Sequence, residues 1–274
     1  MTPPNLPPLR EVIREHALNA RKSLGQHFLL DLNLTDRIVK AAGDLTDYHV
    51  IEVGPGPGGL TRALLNSPAL TVTVVEKDDR CLAIMEELKN AYGNRLKIVA
   101  GDALETNIPV LTSPPRKIIA NLPYNAGTPL LLRWLREVDA YRGLTLMFQK
   151  EVADRLVAKP RTKAYGRLSI ITQWLCEVHT ALKVPKEAFT PPPNVASTVS
   201  NLTPRPAPLN SVSFEALETV TAIAFGQRRK MLRASLKSLD LDLAALKIEP
   251  TARAEELSVL DFCHLANALV ESRA

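Results

Sequence analysis

Glycines and carboxylates that follow two short apolar runs are candidates for binding a ligand. The run Val50–Val53 ends in a glycine-rich loop, Gly54–Gly59, and helix-forming residues follow at Leu60–Leu65. Glycines between a strand and a helix let a ligand approach the backbone, where free N–H groups can meet it. Glu76 ends the next apolar run, about 20 residues further on, where a carboxylate can accept hydrogen bonds from ribose hydroxyls. This pattern indicates a cofactor that contains adenosine.

The glycine loop fits two cofactor templates. Gly54, Gly56 and Gly59 match the dinucleotide pattern G-x-G-x-x-G, whereas Gly54, Gly56 and Gly58 match the looser G-x-G-x-G of methyl-donor sites. A glycine-rich turn that binds no ligand is the third interpretation. The loop alone therefore leaves NAD and S-adenosylmethionine open.

The tetrapeptide Asn121–Tyr124 favours methyl transfer to an amine. It follows an apolar run, at the edge of an open α/β sheet where ligands bind. The side-chain oxygen of Asn121 and the carbonyl of Leu122 can accept both protons of an adenine amine, which favours a pyramidal, nucleophilic nitrogen. Pro123 fixes the loop and contributes no donor, and Tyr124 offers a face for base stacking. Taken alone, the tetrapeptide also reads as an ordinary asparagine turn.

Alternating strands and helices are predicted around both motifs. They indicate an α/β fold with a parallel sheet covered on both faces. The predicted strands are Val50–Val53, Leu70–Glu76, Leu96–Ala100, Lys117–Ala120, Leu144–Phe148 and Val195–Leu202, and the predicted helices are Leu60–Leu65, Arg80–Leu88, Leu130–Leu135 and Glu151–Ala158. The proline-rich stretch Thr203–Pro208 reads as a stiff linker, and the pattern beyond it is helical. We therefore expect two domains, 1–203 and 204–274.

The charge of the chain is clustered. The formal net charge is +5 and the pI is near 9.1. Cationic side chains concentrate between Lys150 and Arg167 and between Gln227 and Ser238. One such run usually marks a solvated helix face, but two runs in a basic protein favour a polyanionic partner.

Composition excludes several classes of protein. No apolar stretch reaches the roughly 18 residues of a membrane span. The proline-rich start, Met1–Arg10, lacks the apolar core of a secretory signal. Three scattered cysteines argue against a disulfide framework and a zinc cluster, so we expect no metal and a reducing cytoplasm.

The glycine loop and Asn121–Tyr124 together resemble adenine-N6 methyltransferases. Further matching segments are Arg21–Leu29 (RKSLGQHFL), Gly101–Leu104 (GDAL), Gln149–Ala153 (QKEVA), Lys163–Ser169 (KAYGRLS), Phe189–Pro193 (FTPPP) and Ala224–Lys230 (AFGQRRK). From about residue 19 to the end, the chain resembles the family of small-subunit ribosomal RNA adenine dimethyltransferases. The resemblance implies a Rossmann-like methyltransferase sheet with a small C-terminal helical domain. The first domain would bind S-adenosylmethionine and the second would bind RNA.

The resemblance also implies an activity and a set of site residues. The enzyme would dimethylate N6 of two adjacent adenosines in the hairpin near the 3′ end of 16S rRNA, in a precursor of the 30S subunit. Residues assigned to the cofactor are His27, Leu29, Gly54, Gly56, Glu76, Asp102 and Asn121. Residues assigned to the target base are Asn121, Leu122, Pro123, Tyr124 and Phe189, the last as a second aromatic wall opposite Tyr124. Asparagine is the usual residue at the position of His27, and Pro57 and Gly58 also depart from the common pattern.

The cationic runs complete the expected site. Residues expected to hold RNA phosphates are Lys150, Arg155, Arg167, Arg228, Arg229, Lys230 and Arg233. No membrane contact is expected, and the chain is taken to be a monomer. Two other functions remain open on the sequence: an NAD-dependent oxidoreductase, and a non-catalytic RNA-binding or ribosome-assembly factor with the same fold. The first leaves Asn121–Tyr124 and the cationic runs unexplained.

Overall fold

The computed structural model describes residues 4–21 and 25–273 of this chain. Its strands are β1 (Phe28–Leu29), β2 (His49–Val53), β3 (Thr71–Glu76), β4 (Leu96–Ala100), β5 (Arg116–Asn121), β6 (Gly143–Gln149), β7 (Cys176–Val184), β8 (Phe189–Thr190) and β9 (Ser197–Pro204). Its helices are α1 (Leu9–Glu15), α2 (Leu32–Ala41), α3 (Gly59–Leu65), α4 (Asp79–Tyr92), α5 (Gly127–Arg136), α6 (Lys150–Leu156), α7 (Arg167–Leu175), α8 (Phe214–Gly226), α9 (Leu232–Ser235) and α10 (Val259–Glu271). None of the described helices is long and apolar enough to cross a membrane.

A seven-stranded sheet organises the first part of the chain. Its strand order is β4-β3-β2-β5-β6-β9-β7. The pairs from β4 to β6 are parallel, and β9 returns antiparallel to β6. β2 and β3 are almost wholly buried, as expected for parallel strands covered on both faces. The order reverses direction between β2 and β5, which creates the crevice where open α/β sheets bind ligands.

Helix boundaries near this crevice follow from local capping. α4 begins at Asp79 because the side chain of Asp78 accepts a hydrogen bond from the backbone N–H of Arg80. α2 begins after Asp31 in the same way. A second, two-stranded sheet pairs β1 with β8, with Leu29 opposite Phe189. The α/β order predicted from the sequence is confirmed, and β1, β7 and β8 are strands that the sequence did not predict.

The chain divides into two compact units, and the division differs from the predicted one. The first unit contains the residues up to Ala153 together with His179–Thr203. The second contains Asp154–Val178 and Pro204–Ala274. The predicted first domain, 1–203, therefore wrongly included 154–178. The proline-rich linker correctly marks one point where the chain passes from the first unit to the second. Composition does not show that residues 154–178 also belong to the second unit, with the later helices.

Aromatic packing holds the second unit together. α7 packs on α8 and α10. The rings of Trp174 and Phe214 are 5.8 Å apart, and those of Phe225 and Phe262 are 5.6 Å apart and stacked. The side chain of Ser258 accepts a bond from the backbone of Asp261 and caps the start of α10.

Candidate active site

The glycine loop joins β2 to α3 at the crevice. Gly56 has a φ of +56°, and a Cβ there would lie 3.2 Å from the ring of Phe28. A Cβ at Gly59 would lie 2.5 Å from the backbone oxygen of Leu29, closer than packed atoms tolerate. The loop therefore needs glycine both for its backbone conformation and for its close contact with the 28–29 backbone.

Glu76 lies at the carboxyl end of β3 and is 6% exposed. Its Oε1 accepts hydrogen bonds of 2.8 Å from the backbone N–H groups of Lys77 and Asp78, and its Oε2 accepts one of 3.4 Å from Gly56. Burial raises the pKa of this carboxyl, and the backbone N–H donors act in the opposite direction. The bonds fix the carboxylate beside the glycine loop.

Glu52, at the end of β2, is a second buried carboxyl in the same crevice. Burial raises its pKa to about 8, and the nearby Glu76 acts in the same direction. Its Oε2 has no hydrogen-bond partner within the described residues. Glu52 lies in the predicted strand Val50–Val53, and the sequence pattern predicts no role for it.

Asp102 follows β4 and is more exposed. The backbone N–H of Leu104 and then the ammonium of Lys77 lower the pKa of its carboxyl. Lys77 Nζ lies 3.1 Å from Asp102 Oδ2. The sequence predicts no role for Lys77, because no known motif marks a lysine that follows a residue such as Glu76.

The Asn121–Tyr124 loop leaves the carboxyl end of β5. Asn121 Nδ2 donates a hydrogen bond of 3.3 Å to the backbone oxygen of His27. With its nitrogen held in this way, the carboxamide keeps its oxygen as an acceptor. The hydroxyl of Tyr124 hydrogen-bonds Ser197 Oγ at 2.7 Å, and burial raises the pKa of this phenol.

His27 borders the same loop. Its Nδ1 lies 2.8 Å from the backbone oxygen of Pro191, so Nδ1 carries the proton and donates. The imidazole ring is 5.2 Å from the ring of Tyr124, at a 33° tilt. Its neighbours in the motif, Lys22, Ser23 and Leu24, lie outside the described residues.

These groups line one cleft of about 970 Å³, which includes its solvent-open part. It is formed by the 25–29 segment and the carboxyl ends of β2, β3, β4 and β5. Of the residues predicted for cofactor and base, the described lining contains His27, Leu29, Gly54, Gly56, Glu76, Asp102, Asn121, Leu122, Pro123 and Tyr124.

Phe189 is the predicted site residue that the cleft does not include. It is 2% exposed and packs in the core behind β1, where it pairs with Leu29. The aromatic side chain that reaches the cleft from this pair of strands is Phe28. Phe189 does not line the cleft that Tyr124 lines, so its role as the wall opposite Tyr124 stays a prediction.

A family model described as ribosomal RNA adenine dimethylase matches residues 17–271. The chain belongs to this dimethylase family. It is similar to "Ribosomal RNA small subunit methyltransferase A" of Paramagnetospirillum magneticum, with 62% identity over 269 residues, 97% of this chain and 95% of that protein. The protein of the same name from Rhodospirillum rubrum is 57% identical over 267 residues, 96% of this chain and 93% of that protein.

Solved structures agree with the dimethylase fold. A dimethyladenosine transferase from Plasmodium falciparum has a TM-score of 0.76 and 26% identity, covering 87% of this chain and 96% of that one. The 23S rRNA methyltransferase ErmE has a TM-score of 0.65 and 27% identity, covering 89% of this chain and 99% of that one. The protein is therefore an rRNA adenine dimethyltransferase that uses S-adenosylmethionine, and the oxidoreductase alternative is wrong.

The residues of the dimethylase cleft fit this donor. Glu52, Glu76 and Asp102 bring three carboxyls to the lining. Among the described lining residues, Lys77 alone carries an ammonium or guanidinium group. Carboxyl acceptors of this kind suit a cationic ligand with ribose hydroxyls and an adenine amine. They disfavour the diphosphate of a dinucleotide, which binds to cations and free backbone donors.

The predicted RNA-binding cations of the dimethylase occupy different environments. Lys150 and Arg155 are exposed on α6, and Arg167 is exposed at the start of α7. Arg229 and Lys230 are exposed in the turn after α8, and Arg233 is exposed on α9. The helical pattern predicted beyond the linker is interrupted here, because α8 ends at Gly226 and residues 227–229 form a turn.

Arg228 differs from its neighbours. Its Nε lies 2.6 Å from Glu255 Oε2, and its Nη2 donates to the backbone oxygen of Thr162 at 3.2 Å. These bonds connect three segments of the second unit. The structure thus gives Arg228 a role in packing that a count of cations does not reveal.

Proposed function

We propose that this enzyme dimethylates N6 of two adjacent adenosines in the hairpin near the 3′ end of 16S rRNA, in precursors of the 30S subunit. The relatives quoted above carry a name that specifies the small subunit. The observation that carries the proposal is the carboxamide of Asn121 at the end of β5, in the wall of the same cleft as Glu76 and Gly56. An amine acceptor and a nucleoside donor site share one cavity.

At the donor end, the residues of the cleft bind and orient. S-adenosylmethionine supplies an electrophilic methyl group on a sulfonium. Glu76 would accept from the ribose hydroxyls, and Asp102 from the adenine amine. His27, Leu29 and Gly54 would border the methionine end. The low pKa of Asp102 keeps this acceptor charged at neutral pH.

At the target end, Asn121 and Leu122 would accept the two protons of the adenine amine. This removes the amine's planarity and directs its lone pair at the methyl group, which is positioning and electrostatic catalysis. Tyr124 would stack on the base and stabilise the developing positive charge through its ring face. No base is needed, because the alkylated cationic amine readily loses a proton to water.

The target must leave its helix or be unpaired already, since a stacked base hides N6 from in-line attack. We propose that Lys150, Arg155, Arg167, Arg229, Lys230 and Arg233 hold the RNA phosphates, with Arg228 contributing chiefly through packing. Binding of this kind weakens as salt rises. The enzyme would work as a monomer, in the cytoplasm where subunits are assembled.

Methylation of 30S particles that lack the modification tests this function. Purified enzyme and donor are incubated with the particles, and the modified nucleotides are mapped by mass spectrometry. Two adjacent N6,N6-dimethyladenosines near the 3′ end are expected. Methylation at another site, or on 50S particles at a comparable rate, would reject the proposed target and leave the family's chemistry intact.

A further inference from the structure

The segment Gly25–Leu29 forms one wall of the donor cleft. Its regular pairing is limited to β1, two residues long, opposite β8. Two paired residues make a weak attachment, because isolated short pairings are marginal in water. Side-chain contacts must therefore help to hold residues 25–27 against the cleft, and the bonds of His27 to Asn121 and Pro191 are two of them.

The side chain of Gln26 makes a third contact. Its Nε2 donates a hydrogen bond of 2.8 Å to Asp78 Oδ2, across 52 positions of sequence. Its Oε1 accepts one of 2.9 Å from the backbone N–H of Arg21. Both ends of the carboxamide are used, so its orientation is fixed.

The carboxylate of Asp78, which accepts this bond, is buried, and its charge is balanced by Arg80. It is 4% exposed, and Arg80 contacts it through Nε at 3.0 Å and Nη2 at 2.6 Å. Arg80 Nη1 donates in turn to the backbone oxygen of Asn19 at 2.9 Å. Arg80 and Gln26 lower the pKa of Asp78 to about 2, so a full charge faces the Gln26 amide.

The same residue also touches the floor of the cleft. The backbone N–H of Asp78 donates a hydrogen bond of 2.8 Å to Glu76 Oε1, while its side chain accepts one from Gln26. Asp78 therefore connects the 25–29 wall to Glu76, the residue expected to bind the ribose. Asp78 also caps the start of α4, and Gln26 itself belongs to the lining of the cleft.

We propose that Gln26 and Asp78 are positioning residues for the methyl donor, whose hydrogen bond sets the separation between the 25–29 wall and Glu76. The inference rests on the proposed function, which places the donor between these two elements. Gln26 is directed at Asp78 and acts through the neighbouring His27 and Phe28. Its loss lowers donor affinity while leaving the methyl-transfer step largely intact.

Gln26→Leu is the first variant, because leucine has similar volume and no hydrogen bonds. Donor affinity is measured by calorimetry without RNA, and KM and kcat are measured with 30S particles. We expect donor binding about ten-fold weaker, in the range of one hydrogen bond to a charged group, with KM for donor rising in parallel. kcat at saturating donor stays within about two-fold.

Gln26→Glu supplies a signature that a merely structural role would not produce. At pH 8 the new carboxylate faces Asp78, with Arg80 and the Glu76 carboxyl also nearby, and donor binding falls further than in Gln26→Leu. Toward pH 5 the new carboxyl gains a proton and donates to Asp78, so donor affinity recovers. The wild-type and Gln26→Leu proteins show no such recovery.

His16→Gln is the matched control. His16 Nε2 lies 3.0 Å from Glu87 Oε1 and also joins the N-terminal segment to α4, but neither residue lines the cleft. We expect unchanged donor affinity. Equal donor affinity in Gln26→Leu and wild type, or an equal loss in His16→Gln, overturns the positioning role alone. A wild-type protein that binds no donor overturns the proposed function and this inference with it.

Discussion

The donor cleft and the cationic segment 227–238 use polar residues in opposite ways. In the cleft, Glu76 and Asn121 are bonded to backbone groups that fix where each oxygen points. In the cationic segment, Arg229, Lys230 and Arg233 extend into solvent. Chemistry on one atom needs fixed directions, whereas attraction to phosphates needs charge in roughly the right place.

This difference explains why one region has a stronger sequence signal than the other. Each residue of a catalytic loop has a defined neighbour, so Asn121–Tyr124 can be interpreted position by position. A run of cations has no such order, and Arg228 looks the same as Arg229 in the sequence. The structure separates them by the contact of Arg228 with Glu255.

The largest effect is expected at Asn121. Asn121→Ala removes an amine acceptor used in the transition state, so the single-turnover methylation rate falls roughly 10²–10³-fold. Donor affinity falls far less than this rate, because Glu76 and Asp102 remain and only the bond of Asn121 to the His27 backbone is lost. Asn66→Ala, a surface change at the partner of Tyr92, is the control. Near-normal turnover in Asn121→Ala removes this residue from catalysis.

Tyr124 and Phe189 give the next largest effect and test the predicted aromatic wall. Tyr124→Ala loses base stacking, so we expect kcat/KM for RNA to fall about 10–100-fold. Tyr124→Phe loses only the Ser197 bond and falls a few-fold. Phe189→Leu lowers the melting temperature but leaves kcat/KM near wild type. A loss in Phe189→Leu equal to that of Tyr124→Ala would return Phe189 to the target site.

The sequence predicted much of the cleft and less of its support. Gly56, Glu76 and Asn121 stand at strand ends, and parallel strands bring their carboxyl ends to one edge. In β7, the apolar residues Val178, Leu182 and Val184 alternate with polar ones, a period-2 pattern that indicates a strand and that the prediction did not use. Phe189 is absent from the described lining of the cleft, and a motif gives its position in the sequence but not the direction of its ring. Gln26 and Asp78 meet across distant sequence, and no local pattern predicts that.

A smaller effect is expected on the cationic segment. Arg229→Glu with Lys230→Glu should weaken RNA binding about ten-fold and reduce the slope of log affinity against log salt by about two. Arg37→Glu with Lys40→Glu is the control, because it makes the same charge change on exposed residues of α2. Arg228→Ala should mainly lower the melting temperature. An unchanged salt slope in the first variant counts against this surface.

The smallest effect on activity, and a distinct one on stability, is expected at Glu52. Its folded pKa of about 8 lies above the unfolded value of 4.5. The folded protein therefore holds more protons between these values, and the contribution of Glu52 to stability declines as pH rises from 4.5 to 8. Glu52→Gln keeps the neutral shape and should remove that decline. Above pH 8, the free energy of unfolding of Glu52→Gln should exceed that of wild type by up to about 5 kcal/mol, at about 1.36 kcal/mol for each unit of pKa shift.

Denaturant unfolding of both proteins between pH 5 and 9 measures this difference. Groups that titrate alike in both proteins cancel, while Glu76 contributes wherever its charge acts on Glu52. Parallel stability curves would mean that Glu52 is ionised in the folded protein. The cleft would then contain one more fixed negative charge, and its contrast with the solvent-facing cations of 227–238 would be sharper still.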